Sequence, residues 1–379
     1  LRKPELHIVS FAIPDPPDYG GIIDVYYKVK YLAEAGVKIY LHCSQYDNRK
    51  PSEQLEKWCE KVWYYPRKTG LSGLSLKLPY TVFSRRDDSL LHNLQSTSAP
   101  ILFDGLMTAY YLHHPALNNR KKIFRPQNVE QDYYRLLAVR TKHPLKKIYY
   151  KREATLLKRF ENRLQNVDAF FTVAEHDYLF FQKKYPEASH EYIPSFQPYN
   201  EVKSKAGYGN YCLYQGNLSV EENEEAALFL VEKVFSQLQI PFIIAGKNPS
   251  LKLQAAADSL KNCTLIANPD KAKMDVLIED AHIHVLPTFQ NTGLKLKLLH
   301  ALFQGRFVLV NNEMLTGTGL ESLCETADDA AAFMKTIQHL MSQPFDAANI
   351  AKRKEILLNA YNNRTNAECI VTYLQQIFP

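Results

Sequence analysis

Residues 283–310 constrain the fold more than any other stretch. An apolar run at 283–286 and a polar connection at 287–293 lead into Leu294, Leu298, Ala301 and Leu302 at helical spacing, then Gly305 and a second apolar run at 307–310. Strand, loop, helix and strand in that order make one crossover unit of a parallel sheet. Ligands of such sheets lie beyond the carboxyl ends of the strands, where helix N-termini present N–H groups without intrahelical partners. Lys295 and Lys297 in the first turns make the start of this helix a candidate diphosphate site. A solvated helix face carrying two lysines is the plainer reading. The two stand roughly 200° apart around a helix, whereas Lys297 and His300 share a face at i, i+3.

The same alternation runs along the chain. Residues 6–13 read as a strand, 14–21 as a connection ending in Gly20 and Gly21, and Ile22, Val25, Tyr26, Val29, Leu32 and Ala33 as a helix closed by Gly36, before a strand at 37–43. The Gly20–Gly21 turn is not a GxGxxG dinucleotide fingerprint, because the third glycine and its spacing are missing. Further strands are expected at 62–65, 101–103, 122–125, 169–174 and 191–193, with helices at 76–96, 105–112, 131–165 (divided by Pro144) and 178–185. Residues 194–210, with Pro194, Pro198, Gly207 and Gly209, look like an interdomain linker. Beyond it come strands at 211–215, 241–245 and 263–266, with helices at 220–237, 250–261 and 271–281. After residue 310, helices are expected at 327–341, 349–361 and 367–378. Two α/β domains follow, at 1–195 and 205–379.

With 46% hydrophobic and 23% charged residues, the 379-residue chain has the composition of a soluble globular protein. No apolar run approaches the roughly 20 residues of a membrane span, and the first strand is too short for a signal peptide, so a cytoplasmic protein is expected. The six cysteines are scattered singly, with no metal-ligand spacing and no disulfide framework. Of the net charge of +6, the segment from Arg135 to Arg163 contributes +8, with ten basic residues against Glu153 and Glu161. A solvated face, a patch on an anionic membrane surface through 142–163, and nucleic-acid binding compete for it. Interleaved tyrosines suit anionic lipid; no nucleic-acid motif accompanies the segment, so no nucleic-acid partner is expected.

The stretch from Gly293 to Arg306 resembles the donor-site motif of retaining glycosyltransferases of the GT-B fold, family 4 type. The resemblance implies an α/β architecture of two facing Rossmann-like domains with a cleft between them. The last helix often crosses back to the first domain in such enzymes. Gly20 and Gly21 match the family's glycine loop after the first strand. Asn128 and Glu130 match a His-Asn-x-Glu segment, with Gln127 where the histidine is expected. These three are the implied catalytic residues. On the donor side Gly216 matches, Asn217 replaces an arginine, and Lys247 follows a second glycine turn. Thr292 and His300 stand where the family carries two glutamates; Gly293, Leu294, Lys295 and Lys297 complete the implied donor site. Without the resemblance, Asn128 reads as a turn or cap residue.

The implied activity is metal-independent transfer of a sugar, with retention, from a nucleotide diphosphate sugar to a glycan or lipid-linked acceptor of the cell envelope. No cofactor is implied. A catalytically silent GT-B protein that binds a nucleotide sugar or serves an assembly is the alternative, and a sugar-nucleotide epimerase of the same fold is a third.

Overall fold

The computed structural model describes residues 3–46, 48–141, 143–289 and 296–377. These fall into two compact units, one reaching Pro198 and resuming at Tyr361, the other spanning Tyr199 to Ala360.

The first unit runs β1 (Glu5–Ser10), α1 (Gly20–Glu34), β2 (Lys38–Gln45), α2 (Glu53–Trp58), β3 (Lys61–Pro66), α3 (Tyr80–Phe83), α4 (Asp88–Leu94) and β4 (Ile101–Asp104). It continues with β5 (Lys122–Arg125), α5 (Glu130–Arg140), α6 (Pro144–Glu161), β6 (Ala169–Thr172), α7 (Glu175–Lys184) and β7 (Ser189–Tyr192). All pairings are parallel, in the order β3-β2-β1-β4-β5-β6-β7. Every residue of β1 is buried, as a central parallel strand requires. Its period of two sends Leu6 and Ile8 into one core layer with Val25 and Val29 of α1, and Val9 into the other with Leu90, Leu157 and Phe181.

The second unit runs β8 (Cys212–Asn217), α8 (Glu221–Phe229), β9 (Phe242–Lys247), α9 (Leu251–Asp258), β10 (Cys263–Ala267), α10 (Lys271–Asp280) and β11 (Ile283–Val285). Then come α11 (Leu296–Gln304), β12 (Phe307–Val310), α12 (Asn312–Leu315), β13 (Glu325–Thr326), α13 (Ala330–Met341) and α14 (Ala347–Ala360). Its sheet has the order β10-β9-β8-β11-β12-β13, again parallel throughout. The final helix, α15 (Asn363–Ile377), belongs to the first unit, where Ile370 and Leu374 join the core beside α1.

Several local expectations change. The helix expected at 76–96 is two short helices, because Pro79 starts one and the Asp87 side chain caps the next by accepting from Ser89 N–H. Residues 106–111 form a 3₁₀ turn. The helix expected at 220–237 stops at Phe229, widens into a π turn over 230–234 and ends in a 3₁₀ turn. Residues 194–210, expected as an interdomain linker, contain the passage from the first unit to the second at 198–199 and are hydrogen-bonded on each side of it. Pro194 accepts from Asn366 and Gln197 bonds Asn363 within the first unit, while Lys203 N–H donates to Phe303 and Gly207 bridges Phe345 within the second.

Glycine is needed where backbones crowd. A Cβ on Gly246 would overlap the carbonyl oxygen of Gly216, its partner on the neighbouring strand. Gly246→Ala is expected to cost about 1–3 kcal/mol as the strands are forced apart. Chemical denaturation, read as a lower midpoint, checks it.

Candidate functional site

In the first sheet the strand order reverses between β1 and β4, which makes the carboxyl ends of those strands the natural ligand position. The chain leaves β1 and enters α1 at Gly20; a Cβ on Gly21 would stand 2.9 Å from the Phe11 ring, so the close approach needs glycine. One turn into α1 lies Asp24, fully buried. Its carboxylate accepts from Lys28 Nζ at 3.0 Å, Arg125 Nε at 3.0 Å and Nη2 at 2.8 Å, Gln127 Nε2 at 3.2 Å and Phe196 N–H at 2.9 Å. Lys28 also bonds Asp104 at the end of β4, and Gln127 Nε2 donates to the same Asp104 at 2.7 Å. Burial pushes both carboxyls up. The cations Arg125 and Lys28 overcome this at Asp24, which is held below the usual range, while burial wins at Asp104, which is raised.

Gln127, where the resemblance expects histidine, is therefore a neutral donor clamped between two carboxylates. It has no proton to transfer, and its amide orientation is fixed by its acceptors. Asn128 has a buried Oδ1 with no hydrogen-bond partner among the described residues. Glu130 opens α5 and is buried; burial pushes its carboxyl up to about 7, against the opposing pull of Arg85. A carboxyl that titrates near neutrality can exchange a proton at physiological pH.

In the second unit the order reverses between β8 and β11. Gly216 and Asn217 end β8 in register with Gly246 and Lys247 of β9. Asn217 Oδ1 accepts from Ser219 N–H at 3.2 Å and from its hydroxyl at 2.8 Å, so the side chain folds onto its own turn. Lys247 is exposed at the strand end. Lys297, in the first turn described for α11, donates from Nζ to Asn223 Oδ1 at 2.8 Å and Tyr214 Oη at 3.4 Å, over the Tyr214 ring. His300 bonds Gln304 at 3.0 Å, lies 3.4 Å from Asp275 and stacks on Tyr199. Lys297 and His300 thus engage different helices, α8 and α10, although they lie on one side of α11. Thr292, Gly293, Leu294 and Lys295 lie outside the described residues.

The sequence reading passed over Asp24, Lys28, Asp104 and Arg125. Its one signal was an Asp and a Lys four apart in α1, bordering the apolar stripe of Val25, Val29 and Leu32.

No protein-family model matches the chain. A Klebsiella pneumoniae protein described as an uncharacterized 44.6 kDa protein in cps region is 25% identical over 390 residues, covering 94% of each chain. Among solved structures, TarM is similar at a TM-score of 0.70 and 9% identity, over 98% of both chains. A variant of S. aureus TarM in complex with fondaparinux, alpha-GlcNAc-glycerol and UDP gives 0.66 at 9% identity, over 99% of this chain and 100% of that one. The fold is GT-B.

In this GT-B chain Glu130 has a stability signature. An acid whose folded-state value is raised destabilises the fold once it must ionise: the penalty is absent below the ordinary value of 4.5, grows as pH rises, and is complete above about 7. Glu130→Gln is expected to raise the melting temperature at pH 8, roughly 2–4 °C for each kcal/mol removed, and to leave it nearly unchanged at pH 4. Melting curves of both proteins across that range test this.

Proposed function

We propose that the chain is a retaining glycosyltransferase that moves a sugar from a nucleotide diphosphate donor to a glycan or lipid-linked acceptor in polysaccharide biosynthesis. The observation that carries the reading is the fit to TarM over both units, rather than over one Rossmann-like half. Two further findings support it: a similar structure holds UDP, and the relative of like length is named for a cps region. In this reading Gly216 lets the backbone approach the donor, Lys297 and Lys247 neutralise its diphosphate, and Gln127, Asn128 and Glu130 lie on the acceptor side. Leaving-group charge is then met by lysine and by backbone N–H groups.

A thermal-shift series with UDP, GDP, ADP and dTDP tests donor binding. At least one diphosphate at millimolar concentration should raise the melting temperature, with or without EDTA. No shift from any of them sinks the reading. Slow hydrolysis of the matching sugar nucleotide separates an active enzyme from a silent binder. Lys297→Ala should weaken the diphosphate about tenfold to a hundredfold, the worth of one charged hydrogen bond, and barely affect the bare nucleoside.

The proposal also puts the acceptor at an anionic membrane surface. Among the described residues no helix is long and apolar enough to cross a membrane. Yet α6 exposes Leu145 and Ile148 beside Lys146, Lys147 and Lys151, and Val139 is exposed at the end of α5. Arg152 ties the loop carrying exposed Leu71, Leu74 and Leu76 to α6 through Ser75 O at 2.7 Å. Apolar tips among lysines suit an anionic bilayer interface. Vesicles containing phosphatidylglycerol should bind the protein in a salt-sensitive way, and replacing Lys146, Lys147 and Lys151 with Gln should release it. Equal retention of both proteins would leave α6 as a solvated face.

A further inference from the structure

Beside the carboxyl end of the first sheet, two arginines meet around tyrosines. Tyr46 follows β2, Arg67 follows β3, and Tyr80 and Arg85 begin and follow α3. The Arg67 guanidinium carbon lies 4.7 Å from the Tyr46 ring centroid and 5.4 Å from that of Tyr80; the Arg85 guanidinium lies 6.0 Å from Tyr46. Arg85 is buried and held by carbonyls, with Nε donating to Phe11 O at 2.9 Å and Nη1 to Thr81 O at 2.6 Å. Arg67 Nε donates to Ser84 Oγ at 2.9 Å. These acceptors fix the two planar groups and bring no negative charge. Among the described residues no carboxylate lies within ion-pair distance of either.

Glu130 lies in electrostatic reach of Arg85, and burial raises its carboxyl to about 7. Burial, then Arg67, pulls the Arg85 guanidinium down to about 9. Packing alone accounts for arginines over tyrosines. It does not account for two like charges, one of them buried, brought together with no carboxylate at ion-pair distance among the described residues. Paired planar guanidiniums match carboxylate or phosphate geometry, and beside them stand exposed Tyr46 and part-buried Tyr80, aromatic rings of the kind that pack on the C–H side of a pyranose.

We infer that Arg67 and Arg85, with the rings of Tyr46 and Tyr80, bind an anionic group of the acceptor: a carboxylate or phosphate carried beside a sugar ring. That the ligand is an acceptor rests on the glycosyltransferase reading; the anion site does not.

The test is saturation-transfer NMR on the full chain. p-Nitrophenyl β-D-glucuronide and phenyl phosphate serve as anionic probes, and p-nitrophenyl β-D-glucoside as the neutral match. The glucuronide or the phosphate should bind about tenfold or more tighter than the glucoside, and the stronger of the two identifies the anion. Arg67→Gln and Arg85→Gln should each remove that preference and leave the nucleoside diphosphate thermal shift in place. Should Arg85→Gln fail to fold, the half-buried Arg67 carries the test. Equal binding of glucoside and glucuronide, or no Arg67-dependent binding by either anion, overturns the inference whether or not nucleotide binds. A nucleotide shift lost in Arg67→Gln also overturns it. Arg67-dependent anion binding without any nucleotide shift leaves the anion site standing and removes the glycosyltransferase reading.

Discussion

The buried carboxylate of Asp24 holds together everything that matters at the carboxyl end of the first sheet. Removing a carboxylate from water costs several kcal/mol even after relaxation, and here five donors from α1, β5, Gln127 and the segment after β7 meet it. The cluster sets two acids, Asp24 and Asp104, against two bases, Lys28 and Arg125. Because Arg125 also donates to the carbonyls of Ile193 at 3.0 Å and Pro194 at 3.3 Å, the exit from the first unit is fixed by the same ions that fix the start of α1. Loss of any member would strand charges that have no water to turn to. The position of Gln127 is a consequence: its amide is held by the acids that anchor the helix.

The second unit has no counterpart to that cluster among its described residues and uses close contact instead. Gly246 lets β8 and β9 approach, and Gly305 leaves room for the His284 ring, which a Cβ would overlap. The turn at 217–223 is tied by neutral hydrogen bonds, with Asn223 Nδ2 donating to Asn217 O at 2.9 Å. Thr288 and Glu222 are bonded across from β11's end to α8. Such a frame tolerates little change of volume, whereas the first unit tolerates little change of charge.

Periodicity made the two sheets legible. Strands buried over all or most of their length, such as β1 and β12, read as apolar runs, and α1 and α11 as clean helical stripes. Where period was weak the reading failed for identifiable reasons. Residues 76–96 mixed Pro79 with Asp87, both helix starters; the passage from the first unit to the second does fall within the 194–210 stretch expected as a linker, though proline and glycine content says nothing about the carbonyl and N–H partners that hold it. The site was legible only in part. Gln127, Asn217 and Lys297 could be placed by position along the chain, but what each touches depends on neighbours remote in sequence. Arg67 and Arg85 carried no signal, because two separate segments and the Tyr46 ring between them meet only once the sheet has formed.

The turn after β8 shows how one local choice bears on the rest of the site. An arginine there could reach out to a phosphate; asparagine instead accepts two hydrogen bonds from Ser219, the Asx geometry that short side chains adopt in turns. The gain is a rigid turn that presents Asn223 O to Tyr214 and Asn223 Oδ1 to Lys297. The loss is a cation at the strand end. Glu221 and Glu222 in the same stretch add negative charge near it, so any anion at this strand end would meet a less favourable potential than an arginine would give. In the proposed function the compensation comes from Lys247 of β9, in register with Asn217, and from Lys297, whose ammonium is steered by the asparagine and tyrosine that the rearranged turn holds in place.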